Sequence, residues 1–349
     1  MAHLCFFNTT PFWGGGERSH LDKALAFARR GHRVTVVADP TAPLYAKAQA
    51  GGLTVFGVRL GKLSFLNPFA YAKLMRLFRR TAPDAVVFNS SNDLKVGGIA
   101  ARRAGVGSIV YLRGLAVPVR NTLLNRYLLG TVLTRIIANS AATKATLLAH
   151  LPLPEDKITV VHHGIDVGGL VPSAERPPTP PIVLGNAGRL TAQKAQHELI
   201  ELATHLRTRN IPFEIRIAGE GELHDELQAK IVAADLQNHV QLLGFVNDMT
   251  AFYRHLHVFV LTSHWEGYGF VLVEAMRQGL PVLAYDASSN PEIVANGQTG
   301  YLVPLCDVAA LADKVQLLYK DADWRAEMGR AGQRRVRQRF ELERQLDKF

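Results

Sequence analysis

Short apolar runs alternate with segments of helical periodicity along almost the whole chain. Each run is short, apolar and bounded by polar or turn residues, which predicts a buried strand. Leu21, Ala24, Leu25 and Ala28 share one face of the first predicted helix. Regular alternation of strands and helices predicts an α/β fold with parallel sheets covered by helices on both sides. The predicted strands are LCFFN, RVTVVA, LTVFGV, DAVVFN and SIVYL in the first half, and IVLGNAG, FEIRIAG, VQLLGF, VFVLTS and PVLAY in the second.

A proline-rich segment separates the two sets of strands. Residues 171–181, VPSAERPPTPP, contain five prolines. Proline removes backbone donors and stiffens the chain, so this segment is typical of a linker between domains. The pattern therefore predicts two Rossmann-like domains, residues 1–170 and 182–349, with a cleft between them and helices at the end of the second. Ligands of such sheets bind at the carboxyl ends of the strands.

The net charge of +10 is concentrated in the first predicted domain. Residues 1–171 contain 21 Lys and Arg against 8 Asp and Glu, which gives +13, and the remainder of the chain carries −3. Such a field favours an anionic substrate, a membrane surface or nucleic acid. The chain contains no recognisable nucleic-acid-binding module, so nucleic acid is not expected.

Cysteine usage and hydropathy predict a cytoplasmic protein. Only two cysteines occur, Cys5 and Cys306, which indicates a reducing compartment without a disulfide framework. The N-terminus lacks a basic region before an apolar one, so it does not predict a signal peptide. No apolar run reaches the roughly 18 residues that a membrane helix needs. The thirteen histidines and the two cysteines show no metal-ligand spacing, so neither a metal nor a cofactor is expected.

Two glutamates, Glu266 and Glu274, lie at opposite ends of one short segment, HWEGYGFVLVE. The first follows the apolar run VFVLTS, and the second belongs to a helical pattern that begins near Phe270. The N-terminus of that helix is expected to offer free N–H groups and a positive dipole end, which suit a phosphate. Carboxylates accept hydrogen bonds from sugar hydroxyls. The segment therefore predicts a site for a sugar diphosphate, although a glutamate near a helix start is also common on ordinary surfaces.

Two other segments offer phosphate ligands. Arg189 and Lys194 follow the strand IVLGNAG, where fixed cations would stabilise a leaving diphosphate. The glycines at 14–16 follow the first strand and precede a helix expected to begin at about Glu17. With Ser19 and Asp39 they form a partial match to a nicotinamide dinucleotide fingerprint, which leaves the second-domain glutamates unexplained.

The stretch HWEGYGFVLVEAMRQGLPVLA, followed by YDASSNPEIVANGQTGYLVP, resembles the donor-binding signature of the retaining GT-B glycosyltransferases of family 4. The resemblance covers most of the chain. It implies a GT-B fold and transfer of a sugar from a nucleotide-sugar to a glycan or glycolipid hydroxyl with retention. A donor phosphate oxygen would accept the acceptor proton. A membrane-anchored acceptor such as lipopolysaccharide core is expected.

The resemblance also implies individual roles. Glu274 would bind the ribose, Glu266 the donor sugar, and Arg189 with Lys194 the diphosphate, so that Glu266, Arg189 and Lys194 would serve the reaction. Two positions depart from the family: Ala195 replaces a usual Gly, and Arg113 stands where relatives often have His, as a candidate for binding the acceptor or the donor sugar. The implied donor-binding residues are Gly15, Gly16, Arg189, Lys194, Gly219, Gly269, Phe270, Val271 and Glu274.

Residues 62–80, KLSFLNPFAYAKLMRLFRR, interleave cations with apolar side chains. This pattern is typical of a segment that lies on an anionic membrane, and equally of a core helix with a solvated basic face. The first interpretation predicts a peripheral protein on the inner face of the cell membrane. The cations are Lys62, Lys73, Arg76, Arg79 and Arg80, and the apolar residues are Phe65, Leu66, Phe69, Leu74, Leu77 and Phe78.

Two other functions fit the same residues. A non-catalytic nucleotide-sugar binding protein would bind the donor without hydrolysing or transferring it. A GT-B sugar-nucleotide epimerase would convert the donor without any acceptor. The sequence names neither the base and sugar of the donor nor the acceptor.

Overall fold

The computed structural model describes residues 1–61, 63–168 and 180–349. The chain divides into two compact units, residues 1–164 with 342–349, and residues 165–341. This division differs from the predicted domains, because residues 342–349 pack with the first unit rather than the second. The predicted linker lies outside the described residues except for Pro180 and Pro181.

The first unit contains a seven-stranded parallel sheet with the order β3-β2-β1-β4-β5-β6-β7. Helices follow almost every strand, as parallel pairing requires. The strands are His3–Phe7 (β1), Arg33–Ala38 (β2), Thr54–Gly57 (β3), Ala85–Phe88 (β4), Ser108–Arg113 (β5), Arg135–Ala138 (β6) and Ile158–Val160 (β7). The helices are Gly15–Arg29 (α1), Pro43–Ala50 (α2), Pro68–Thr81 (α3), Ser91–Asp93 (α4), Ile99–Arg103 (α5), Leu123–Arg126 (α6) and Ala141–His150 (α7).

Residues 342–349 complete the first unit. Leu342 and Leu346 are buried in the same hydrophobic cluster as the inner face of α1. The ring of Phe349 lies 5.4 Å from that of Phe27, centroid to centroid. This contact explains why the segment packs with the first unit, since its apolar side chains cover a face of α1 that would otherwise be exposed.

The second unit contains a six-stranded parallel sheet with the order β10-β9-β8-β11-β12-β13. Its strands are Ile182–Ala187 (β8), Phe213–Ala218 (β9), Val240–Leu242 (β10), Val258–Leu261 (β11), Val282–Tyr285 (β12) and Gly300–Val303 (β13). Its helices are His197–Thr208 (α8), His224–Ala233 (α9), Met249–Arg254 (α10), Phe270–Arg277 (α11), Asn290–Ile293 (α12), Val308–Lys320 (α13) and Ala322–Arg339 (α14). The last helix of the chain, Leu342–Leu346 (α15), belongs to the first unit.

The predicted α/β class and both parallel sheets are confirmed. All ten predicted strands are present, and β6, β7 and β13 are additional. Among the described helices, none combines the length and the apolar composition needed to cross a bilayer.

One core position in the first unit carries an unpaired imidazole. His20 lies on the inner face of α1 with its ring edge-on to Phe6, 5.1 Å between centroids. Both ring nitrogens are buried, and neither has a hydrogen-bond partner among the described residues. Burial, reinforced by the nearby charge of Lys23, lowers the pKa of His20 from 6.5 to about 3. The folded protein therefore holds a neutral histidine that the unfolded chain would protonate in weak acid.

Replacing His20 with Phe is expected to reduce the acid sensitivity of the fold. A lowered folded pKa gives stability that is present above pH 6.5 and is lost as the pH falls towards 3. At about 1.4 kcal/mol per pKa unit, wild type loses about 2 kcal/mol from this group between pH 7 and pH 5. Urea unfolding of wild type and His20→Phe at both pH values measures the free energy of unfolding that each protein loses. An equal loss in the two proteins would contradict a low pKa for His20.

Candidate functional site

The loops that follow β8 and β11 bring Lys194 and Glu266 together. Lys194 Nζ donates a hydrogen bond to Glu266 Oε1, and both side chains are largely buried. The hydroxyl of Thr262 donates to the carbonyl oxygen of Lys194 at 3.0 Å. Sequence reasoning gave the two residues separate ligands, the diphosphate and the sugar. The structure shows that each is also the other's partner, so removing one leaves a buried charge without compensation.

Two further hydrogen bonds, one between main-chain groups and one from a side chain, connect the same two loops. The His264 N–H donates to the carbonyl oxygen of Gln193 at 3.0 Å. The Gln193 side-chain amide donates to the carbonyl oxygen of Trp265 at 2.8 Å. These bonds fix the residues that directly precede Lys194 and Glu266 in the chain. Sequence analysis did not single out Gln193, because a glutamine in a loop carries no distinctive spacing.

Glycine is required where the loops after β8 and β9 touch. Gly219 has φ +141°, and a β-carbon there would lie 1.9 Å from the carbonyl oxygen of Gly188. A β-carbon on Gly221 would lie 2.3 Å from the carbonyl oxygen of Leu190. The loop that carries Arg189 is thus supported by direct backbone packing. Arg189 itself is exposed, and its carbonyl oxygen accepts a hydrogen bond from the Gln196 side chain at 3.0 Å.

Ala195 adopts the left-handed conformation, with φ +47°, and is buried. Left-handed backbone favours glycine, which agrees with the glycine that the family usually has after this lysine. The chain therefore keeps the turn after Lys194 despite the extra methyl group.

The helix α11 begins at Phe270, as predicted, with Gly269 as its N-cap. The expectation that its first N–H groups are free is wrong for Phe270, whose N–H donates to the Tyr268 carbonyl oxygen at 2.6 Å. The N–H of Leu272 donates to the carbonyl oxygen of Gly269. The N–H of Val271 has no partner within the described part of the chain, so it is the donor available to a phosphate.

Glu274 lies in the second turn of α11 and is partly exposed. The Tyr253 hydroxyl donates a hydrogen bond to Glu274 Oε2 at 3.3 Å. This contact helps to orient the Glu274 carboxylate. Glu274 and Glu266 thus have different neighbours, a tyrosine hydroxyl and a lysine ammonium, in line with different roles.

In the first unit the helix α1 begins at Gly15, two residues before the expected start at about Glu17. Gly14 is the N-cap, and Gly15 and Gly16 form the first turn. The Glu17 carboxylate folds back over this end, because its Oε1 accepts from the Asn8 amide at 3.5 Å. An acidic group there is favourable for the helix dipole. A β-carbon on Gly15 would meet nothing within 4 Å, so ligand approach is open at this residue.

Arg113 is the last residue of β5. Its Nη2 donates to the Val117 carbonyl oxygen at 2.8 Å, whereas its Nε is buried without a partner among the described residues.

The structure also shows a residue that the sequence did not indicate, the buried Asp93, which accepts hydrogen bonds from Thr9 N and Thr9 Oγ1. Burial raises the pKa of Asp93 to about 6. Its position just after β4 is the signal that could have identified it.

The partial match to a dinucleotide fingerprint finds no support. Asp39 Oδ1 accepts hydrogen bonds from the Thr41 N–H at 2.9 Å and the Thr41 hydroxyl at 2.7 Å. Its Oδ2 lies 3.3 Å from Arg59 Nε. These contacts occupy the carboxylate that a ribose would need.

The sequence matches two family models in succession. Residues 13–168 match the model described as Glycosyltransferase Family 4, and residues 172–335 match Glycosyl transferases group 1. The two matches leave only residues 169–171 between them. The chain therefore belongs to the group 1, family 4 glycosyltransferases, and its two Rossmann-like units are those of the GT-B fold.

Individual relatives agree with this assignment. The capsular polysaccharide biosynthesis glycosyltransferase CapM of Staphylococcus aureus is 29% identical over 219 residues, 59% of this chain and 58% of its own length. An Escherichia coli UDP-Gal:α-D-GlcNAc-diphosphoundecaprenol α-1,3-galactosyltransferase is 29% identical over 255 residues, 67% of this chain and 66% of its own. The matched region thus spans less than two thirds of either relative.

A solved structure shares the fold over nearly the full length. The crystal structure of Anabaena HepE in complex with UDP has a TM-score of 0.85 to this chain at 22% identity, and covers 99% of this chain and 98% of that one. At this identity the similarity establishes the architecture and leaves the ligand to be argued from the site itself.

Proposed function

We propose that this chain transfers a hexosyl group from a UDP-sugar to a hydroxyl of a glycan or glycolipid in cell-envelope polysaccharide synthesis. The observation that carries the proposal is the buried Lys194–Glu266 pair beside the N-terminus of α11. It combines a cation for a diphosphate, a carboxylate for sugar hydroxyls and a backbone donor at Val271. HepE, which shares the fold, was crystallised with UDP, and this supports uracil as the base of the donor.

The geometry suggests how the donor is used. Arg189 and Lys194 contact the diphosphate, and their charge becomes more favourable as the leaving nucleoside diphosphate gains negative charge. Glu274 binds the ribose hydroxyls, and Glu266 accepts from the sugar hydroxyls while it orients Lys194. The acceptor hydroxyl attacks from the face of the leaving group, with retention, and gives its proton to a donor phosphate oxygen. No metal takes part in this step.

The remaining predicted residues complete the proposal. Gly219 lies near the base, and Gly15 and Gly16 allow close approach of the donor. Arg113, whose Nε is buried and has no partner among the described residues, holds an anionic group of the acceptor. The Escherichia coli relative is named for a lipid-diphosphate acceptor, which supports an acceptor of this class, and lipopolysaccharide core remains one candidate.

A donor panel tests the function. Thermal unfolding is measured with UDP, GDP, ADP and their sugars, and UDP compounds are expected to stabilise the chain in proportion to occupancy. Glu274→Ala should abolish stabilisation by free UDP, whereas Glu266→Gln should weaken only the response to UDP-sugar. Transfer of labelled sugar to a lipid-diphosphate glycan then separates this function from a binding protein, which transfers nothing. An epimerase would convert the donor without an acceptor, and either result would overturn the proposal.

The proposal includes contact with an anionic membrane through the segment around α3. Leu63, Leu66 and Phe69 are 69%, 68% and 82% exposed, although Leu74 and Phe78 of the same segment are buried in the core. Leu74 and Phe78 therefore belong to a core helix, and the exposed residues of the segment are the ones that we propose to contact the membrane. Lys62 lies outside the described residues. Exposed side chains at helical spacing form one stripe: Phe69, Lys73, Arg76 and Arg80.

The full chain is expected to sediment with anionic vesicles at low salt and not with neutral ones. Each Lys or Arg near an anionic surface contributes about 1 kcal/mol, and added salt screens it. Arg76→Glu with Arg79→Glu should abolish sedimentation while leaving transfer to a soluble acceptor intact. Arg29→Glu with Arg33→Glu, the same charge change elsewhere in the first unit, is the control. Equal loss in both variants would show an effect of net charge alone.

A further inference from the structure

A glutamate, a histidine and a cysteine from three separate elements of the second unit meet beside the loop of Glu266. Glu198 lies in the first turn of α8, His264 follows β11, and Cys306 follows β13. His264 Nε2 lies 2.7 Å from Glu198 Oε1 and 3.6 Å from Cys306 Sγ. All three donor atoms lie within 4.8 Å of one another. Carboxylate oxygen, imidazole nitrogen and thiolate sulfur are the ligand types that Zn²⁺ takes in proteins.

We propose that Glu198, His264 and Cys306 bind a Zn²⁺ ion. At ordinary zinc bond lengths the ligand atoms of a tetrahedral site are about 3.4 to 3.7 Å apart. The separation of Cys306 Sγ and His264 Nε2 already has this value. The separation of His264 Nε2 and Glu198 Oε1 must open by less than about 1 Å, which side-chain rotation at the partly exposed His264 allows. Cys306 is exposed, so a water molecule can supply the fourth ligand.

Two features show that the cluster is supported. The Tyr285 hydroxyl donates to Glu198 Oε2, which fixes the buried carboxylate and leaves Oε1 directed at His264. Such outer hydrogen bonds are typical of metal-ligating carboxylates. Cys306 has φ +63°, a conformation that favours glycine. The chain thus keeps a side chain at a strained position, and strain of this kind is common at functional sites.

The ion would connect α8, the segment 264–266 and the loop after β13. Because the His264 N–H is bonded to the carbonyl oxygen of Gln193, the ion would also limit motion of the loop that carries Lys194. The role is structural and does not depend on the proposed transferase activity. The proposal departs from the sequence-based expectation of a chain without metal.

Zinc titration of the full, chelator-treated chain tests the proposal. Calorimetry should show one tight Zn²⁺ site, and Co²⁺ in its place should give the near-ultraviolet absorption of a thiolate–cobalt bond. Cys306→Gly should weaken Zn²⁺ binding more than about 100-fold, because a ligand contributes more than the outer partners whose loss gives 10- to 100-fold. Without metal the variant should be at least as stable as wild type, since glycine relieves the strain at this position.

His205→Gln on the same helix α8 is the matched control, since His205 also lies near a glutamate, Glu201, at 3.9 Å but belongs to no cluster of three possible metal ligands among the described residues. Zn²⁺ should raise the melting temperature of wild type and of this control, and not that of Cys306→Gly. Equal Zn²⁺ affinity in wild type and Cys306→Gly would overturn the proposal, as would cobalt binding without a thiolate band.

Discussion

Lys194→Ala is expected to lower turnover by about 10²- to 10³-fold while binding of the acceptor changes little. Removal of one preorganised charge at a developing anion has an effect of this size. The structure adds a second reason, because Lys194 is also the partner of the buried Glu266 carboxylate. The variant therefore loses both the cation that we propose for the diphosphate and the partner that orients Glu266. Steady-state kinetics with saturating donor measures the change.

Two further variants separate these contributions. Lys230→Ala removes an exposed lysine of the same unit, paired with Glu226 at 2.8 Å, and should leave turnover unchanged. Glu266→Gln keeps a hydrogen-bond acceptor for Lys194 without the charge. If the two residues act as one unit, the double variant should be no slower than Lys194→Ala, which is the sign of strong coupling. A Lys194→Ala protein that is folded and within a few-fold of wild type would remove this lysine from the transfer step.

Gly219→Ala is expected to destabilise the second unit by about 3 kcal/mol or more. The new β-carbon would lie 1.9 Å from the Gly188 carbonyl oxygen, so one of the two loops must move. The φ of +141° adds strain for any residue with a β-carbon. In a domain of this size the loss corresponds to a fall in melting temperature of roughly 6 to 12 °C. Because the displaced loop carries Arg189, UDP affinity should fall as well.

Gly244→Ala is the matched control for this change. Gly244 accepts the hydrogen bond from the Gly219 N–H and also has a positive φ, +64°, but a β-carbon there would meet nothing within 4 Å. It should therefore show the conformational penalty alone, about 1 to 2 kcal/mol. Equal melting temperatures for the two variants would mean that the contact with Gly188 does not restrain the loop.

Much of the fold followed from the apolar pattern alone. Strands such as Arg33–Ala38 and Ile182–Ala187 are buried on both faces, so they form continuous apolar runs that are easily distinguished from helices. The missed strands β7 and β13 lie at the edges of their sheets and are only partly buried. A strand that is only partly buried need not form a continuous apolar run, so the apolar pattern identifies it less well than a strand in the middle of a sheet.

The site was predictable only where its residues are close in sequence. Glu266 and Glu274 share one segment, so their spacing was informative. The pairing of Lys194 with Glu266 joins residues 72 positions apart, and Glu198, His264 and Cys306 come from three elements. Such contacts are created by the order of strands in the sheet, which local periodicity does not specify. The bonded N–H of Phe270 depends likewise on the turn geometry before α11.

The packing of residues 342–349 against α1 has a consequence for the order of events on the ribosome. The second unit, residues 165–341, is one continuous stretch, whereas the first unit requires a segment that follows it in the chain. Domains generally fold as units as they emerge during synthesis. The face of α1 that holds Phe27 therefore stays partly uncovered until the whole second unit has been synthesised. The unit whose synthesis begins first is thus completed after the second one.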